Sequence, residues 1–97
     1  MTHQQHFTIE QAARIAETIG IDFARSDFDI EDFRMGMDVE LEHGSADERT
    51  NVTNDDPAVT GKIAWAHLLE FGDYYRRLAI METEAEVEGR RPRVGKP

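Results

Sequence analysis

The 97-residue chain contains no cysteine, three prolines and a single tryptophan. Without thiols it forms no disulfide, no thiolate zinc site and no cysteine nucleophile, so any metal it held would rest on histidine and carboxylate. Long apolar runs are also missing, and nothing approaches the roughly 20 residues that a bilayer span needs. The opening "MTHQQHF" lacks the basic and apolar regions of a secretory signal, which leaves a cytoplasmic, non-membrane protein as the expectation. Cations are scarce through most of the chain. Residues 1–88 carry all 20 acidic groups against seven basic ones (Arg14, Arg25, Arg34, Arg49, Lys62, Arg76, Arg77), a formal −13, while Arg90, Arg91, Arg93 and Lys96 make the end "GRRPRVGKP" basic. An acidic body repels phosphate, which argues against direct nucleic-acid binding by the folded part. Residues 89–97, rich in Gly and Pro, read as a flexible basic tail on a single helical domain of residues 1–88.

What is present is helix punctuation. Thr8 and Gln11 form a capping box and Gly20 a left-handed stop, bounding a helix with Ala12, Ile15, Ala16 and Ile19 on one stripe. The connector "IDFARSDFD" is too apolar for a free linker and is expected to pack on the core. Asp29 caps a second helix running to about His43, with Phe28 and Phe33 as a hydrophobic staple and Gly44 as its stop. "SADERTNVTNDD" is polar and turn-rich, a loop of about a dozen residues, long for a compact domain. Asp56 and Pro57 launch a third helix ended by Gly72. Asp73 caps a fourth, with Tyr74, Leu78, Met81 and Ala85 on its stripe and a glutamate-rich far end expected to fray. No segment alternates as a strand does, so the fold class is all-α, a small four-helix bundle of helical hairpins with a long polar loop between helices 2 and 3.

Two carboxylates break the apolar pattern. At about 100° per residue, with Phe33 as zero, Ile30, Met37 and Leu41 lie between about +40° and +80°, and Glu40 falls at about −20°, inside the stripe. His43 lies at its edge, at about −80°, and Gly36 leaves space near Glu40. On the third helix, taking Val59 as zero places Ile63 at about +40°, Ala66 at about −20° and Glu70 at about +20°, with His67 beside it at about +80°. Glu-x-x-His on one helix thus faces His-x-x-Glu on another. Burying an ionised carboxylate is costly unless it is paired or ligates a metal.

Three readings follow. Glu40, His43, His67 and Glu70 make a metal site, since Glu-x-x-His projected inward from bundle helices is the ligand pattern of di-metal carboxylate proteins. A single Fe, Mn or Zn ion suits this donor set, because the further glutamates of a two-metal site are missing, or a homodimer completes the site across its interface. Such an ion would support metal-assisted redox or hydrolytic chemistry. Alternatively the glutamates sit at the stripe's margin, paired with Arg34, Lys62, Arg76 or the histidines. The third reading is a metal-free Glu–His acid/base pair. One geometric objection faces any shared site. In a plain antiparallel hairpin His43 is at the loop end while His67 is ten residues into its helix, about 15 Å away. An offset of the helices, a partner chain, or a loop running back along the bundle would bring them level.

Other features have cheaper explanations. Asp47, Asn51, Asn54, Asp55 and Asp56 lack the glycine and terminal glutamate of an EF-hand loop and read as caps and turns. "NVT" matches a glycosylation acceptor that an unexported chain would not use. Trp65, Leu68 and Leu69 make the third helix apolar nearly all round, hence central or covered by a second subunit. His3 and His6 lie near a mobile end. A competing function, of another class, is an acidic interaction module whose body docks on a basic protein partner, as a phage-type inhibitor or nucleic-acid mimic would.

The blocks "ELEHG", "TNVTNDDP" and "GKIAWAHL", in that order, resemble a small prokaryotic and phage family known only as domain of unknown function 5661, over about Phe7 to Glu82. Gly72 departs from it, standing where the family more often has proline. The resemblance implies no activity. It does cover Glu40, His43, His67 and Glu70, and so implies a shared local role for them.

Overall fold

A computed structural model describes residues 6–89. Four α-helices, α1 (Ile9–Ile19), α2 (Ile30–Glu40), α3 (Pro57–Glu70) and α4 (Tyr74–Val87), are joined by segments with 3₁₀ turns at Phe23–Arg25, Leu41–His43 and Glu48–Thr50. Among the described residues there is no strand, in keeping with the all-α bundle expected. Nor, among the described residues, is any helix long and apolar enough to cross a membrane. The basic tail from Arg90 onward, and His3, lie outside the described residues.

Local chemistry explains where the helices start. Thr8 accepts the Gln11 N–H while the Gln11 side chain accepts from Thr8 N, and Gly20 (φ 97°) closes α1 in the left-handed region. Asp29 makes the same reciprocal box with Asp32, and Asp56 caps α3 ahead of Pro57 by accepting from Val59 N. Asp73 stands at the start of α4 but makes no side-chain cap. Its carboxylate instead accepts from Arg77 Nε at 2.7 Å, and that bond holds it below the usual carboxylate range.

Several ends differ from expectation for steric reasons. α2 stops at Glu40 and tightens into the 3₁₀ turn that carries His43. Gly44 and Gly72 are not left-handed stops. They are glycines because a Cβ on Gly44 would collide with the Asp55 carboxylate, and one on Gly72 with the Asp27 carbonyl. The glutamate-rich end of α4 does not fray but stays helical to Val87.

The core is built around α2, which packs against α1, α3 and α4, while α3 also meets α1 and α4. Phe33 and Met37 of α2 are fully buried with Ala12 and Ala16 of α1, Ala64 and Leu68 of α3, and Tyr75 of α4. The connector packs on this core as its composition requires. Ile21 and Phe28 are buried, and Phe23 meets the rings of Phe28 and Phe33 edge-on. On α4 Tyr75 is the buried residue; Tyr74 and Leu78 of the expected stripe pack against the core partly buried, while Met81 is 54% exposed and falls outside it, so the inward face is turned toward Tyr75. Asp32 fixes that rotation. Already engaged in the α2 cap, it also accepts from Arg76 Nε at 2.9 Å, and this pins α4 to the first turn of α2.

Gly36 lets the two helices approach, since a Cβ there would lie 2.8 Å from Tyr75 Cδ2 and closer still to Cε2. Gly36→Ala would gain about 1 kcal/mol of helix propensity but would overpack a fully buried ring, at about 1–3 kcal/mol. We expect the second effect to win, lowering the urea midpoint. A variant more stable than the parent would show that the approach of α4 to α2 is not fixed at this point.

Candidate functional site

Glu40 is the last residue of α2 and only 4% exposed, at the centre of the buried face where its helical phase places it. Tyr75 donates its hydroxyl proton to Glu40 Oε2 at 2.6 Å. The other oxygen, Oε1, is buried and has no hydrogen-bond partner among the described residues. Each histidine approaches a different oxygen. His43 Nε2 lies 3.7 Å from Oε1, and His67 Nε2 lies 3.7 Å from Oε2. The imidazoles close the outer side of the site, with the His43 side chain 53% exposed and that of His67 34% exposed.

Backbone geometry explains how His43 and His67 come level despite their separation in a plain hairpin. The His43 carbonyl accepts from Val52 N (2.6 Å) and Thr53 N (3.2 Å), so the segment after Gly44 runs back beside the 3₁₀ turn before α3 begins. Asp55 fastens this return. It accepts from Ser45 N at 2.9 Å and from the Ser45 hydroxyl, with Asn54 (φ 52°) and Asp55 (φ 62°) in the left-handed region that short polar residues tolerate. The long polar loop therefore positions His43. Its aspartates, Asp47, Asp55 and Asp56, are occupied in caps and turns.

Glu70 is not where its helical phase suggests. Its side chain is 69% exposed and reaches the site only through His67, whose Nδ1 is 3.9 Å from Glu70 Oε1. The error lies in the reference angle. Val59 is 40% exposed, and the buried residues of α3, Thr60, Gly61, Ala64 and Leu68, lie at about 100–200° from it, which turns Glu70 outward and leaves His67 at the margin. An evenly apolar helix has no single stripe from which to take a zero. Of the partners that the structural reading offered Glu40, the two histidines face it and the arginines do not. Arg34 engages Glu31 and Asp38, and Arg76 engages Asp32.

The sequence reading missed both tyrosines of the site. Tyr74 stacks on His67 (centroids 4.4 Å apart, planes 10° apart), and the Tyr75 ring meets both Tyr74 and His67 edge-on. A signal for Tyr75 did exist, since a buried carboxylate requires a donor and a phenol can supply one from inside a core. Among the described residues, no group of three or more histidine or carboxylate side chains stands close enough together to hold a metal ion. The reason is local: one carboxylate is flanked by two imidazoles that face opposite oxygens, with Tyr75 on the second.

Burial, and then the bond to Glu40, push the Tyr75 phenol far above its ordinary range. A phenol raised in the folded state keeps its proton where the unfolded chain loses it, so its stabilising contribution is complete below about pH 10 and declines as pH rises beyond that. Tyr75→Phe should strip Glu40 of its donor at a cost of about 1–3 kcal/mol. It should also abolish the component of tyrosinate absorbance that appears only as the protein unfolds in alkali. An unchanged alkaline titration in Tyr75→Phe would refute the buried bond.

No curated protein and no solved structure gives a significant match to the chain. A family model does match, over residues 12–84, a span that contains α2, the returning loop, α3 and both tyrosines. The chain thus belongs to the family described as protein of unknown function (DUF5661).

Proposed function

We propose that this protein binds one divalent transition-metal ion, with Glu40, His43 and His67 as its ligands. The observation that carries the reading is Glu40 Oε1, a carboxylate oxygen buried without a hydrogen-bond donor and facing an imidazole nitrogen. A buried carboxylate in that condition costs several kcal/mol unless a cation meets it. Two imidazoles and one carboxylate are the donor set of three-ligand zinc sites, and Fe or Mn suits it too.

The ligands need adjustment to serve. Metal–donor bonds of about 2.0–2.2 Å at tetrahedral angles put neighbouring donor atoms about 3.4 Å apart. Each His–Glu separation is 3.7 Å, and the two imidazoles must turn toward the same oxygen. His43 is half-exposed on a single 3₁₀ turn and can rotate toward the carboxylate, whereas His67, stacked on Tyr74, would have to leave that stack to share an oxygen with it. Glu70 is not a ligand in this reading. It stands beside the far nitrogen of His67, where a carboxylate orients a metal-binding imidazole. An ion so held would leave a coordination position open toward solvent and could activate water there, and metal-assisted hydrolytic or redox chemistry is the class of reaction it would support. A site completed by a second copy is not needed to supply the three donors.

Zinc titration of untagged protein by calorimetry should give one equivalent and a rise in melting temperature, both lost in His43→Ala/His67→Ala. His6→Ala should bind as the parent does, because His6 faces Asp38 at 3.4 Å and belongs to another part of the surface. Absence of stoichiometric zinc, iron or manganese binding would end the reading and leave Glu40 as a structural carboxylate tied to Tyr75.

A further inference from the structure

We infer that the outer face of α4 is a docking surface for a cationic amphipathic helix of a partner protein, which pairs lengthwise with the stripe Ile80, Thr83 and Val87. The inference is independent of metal binding and uses no residue of that site.

α4 has two faces. With Tyr75 as zero and about 100° per residue, the half-buried Tyr74, Leu78 and Ala85 lie between about −60° and −100°, toward the body. Ile80, Thr83 and Val87 lie between about +80° and +140°, on the opposite side. Ile80 is 57% and Val87 83% exposed, two large aliphatic groups one heptad apart. The Thr83 hydroxyl donates to the Ala79 carbonyl at 2.9 Å, so the polar group at the middle position is satisfied within α4. A depression of about 250 Å³ between Ala79, Ile80, Thr83 and Glu84 can seat a side chain from a second helix. In this heptad register Ile80 and Val87 stand at a and Thr83 at d, with Glu84 and Glu86 at the flanking e and g.

Charge decides the occupant. Glu82, Glu84, Glu86 and Glu88 crowd the end of α4, at the negative pole of the helix dipole, and no basic residue shares its last turn. Glu82 with Glu86, and Glu84 with Glu88, are like-charge pairs four residues apart, which oppose the helix. Beyond Leu78 only Ala85 is even half-buried among the described residues, so packing does little to offset this, yet the helix runs to Val87. A partner helix with aliphatic side chains along its seam and lysine or arginine beside it meets both the stripe and its acidic flanks. A second copy would bring a formal −9 and the same glutamates, and the arginines of its α4 are held by Asp32 and Asp73. Residues 90–97 offer four cations but one aliphatic side chain, Val94, which cannot fill both a positions.

The probe is a three-heptad synthetic peptide with leucine at a and d and lysine at e and g, titrated in the presence of chelator into the nitrogen-15-labelled full chain. Amide shifts should concentrate in residues 79–88. Ile80→Gln/Val87→Gln keeps the fold, since both side chains are exposed, and should bind the peptide about tenfold more weakly. A peptide with glutamate at e and g should not bind. An isomer with its leucines scattered that bound as tightly as the probe would reduce the surface to charge alone and overturn the inference, as would shifts spread over the other helices or wild-type affinity in the double variant. The other occupants are tested without peptide. A dimer in sedimentation that is lost in Ile80→Gln/Val87→Gln would assign the face to a second copy. Shifts at residues 79–84 on replacing Arg90, Arg91, Arg93 and Lys96 with glutamine would assign it to the chain's own end, and either result overturns the partner helix.

Discussion

The arrangement of α2, α3 and α4 depends on one costly act, the burial of the Glu40 carboxylate at the centre of an apolar helix face. A buried ionised group is tolerated only where partners replace the water it has lost. Each neighbouring element supplies something toward that need. α4 brings the Tyr75 hydroxyl, α3 brings His67, and the 3₁₀ turn following α2 brings His43. The demand is only half met by hydrogen bonds, since Oε1 has none among the described residues. This imbalance, and not the presence of histidines as such, distinguishes the site from an ordinary buried ion pair.

The features around Glu40 make sense as supports for it. Gly36 exists at its position so that the Tyr75 ring can lie against α2, and the Asp32–Arg76 pair sets the rotation of α4 that points Tyr75 inward. The polar loop returns along the bundle through the His43 carbonyl and the Ser45–Asp55 contacts, and so brings His43, just past the end of α2, level with His67 in the last turn of α3. Asp32 is buried too, yet it is satisfied by Arg76 and by the Asp29 backbone, which is how a structural carboxylate in this protein is treated. Glu40 is treated differently.

Much of this was legible in the residues, and the misreadings have a common physical origin. Capping boxes at Thr8 and Asp29, and the Asp56–Pro57 start, are local chemistry and could be read directly. Helix α2 has a clear polar side, so the inward position of Glu40 could be read as well. Helices α3 and α4 are different. α3 is apolar on every side, and α4 has aromatic residues at two successive positions, so helical phase alone does not choose the face. Tertiary contacts make that choice: Thr60, Gly61 and Ala64 on α3 because small residues permit close approach, and Tyr75 on α4 because Glu40 and Arg76–Asp32 draw it in. Glu70 was misplaced for that reason, and Tyr75 overlooked. The glycines at 44 and 72 show the same limit, since what makes them glycine is a contact with Asp55 or Asp27, remote in sequence.

Charge around the site bears on what could meet Glu40 Oε1. Glu40 ends α2, where the helix dipole presents its negative pole and disfavours a carboxylate further. Glu42 is close enough, with Glu82, to have its own carboxyl held above the usual range, burial being the larger cause and Glu82 the next. The arginines on the helices that surround Glu40 are committed elsewhere: Arg34 to Glu31 and Asp38, Arg76 to Asp32, Arg77 to Asp73. None of these three arginines faces Oε1, and the side-chain nitrogen that does is His43 Nε2 at 3.7 Å. An imidazolium on His43 would have to hold its charge half in water at 3.7 Å, a separation at which solvent screens most of the attraction. The carboxylate is therefore underpaired among the described side chains, and it is on this imbalance that the proposed metal binding rests.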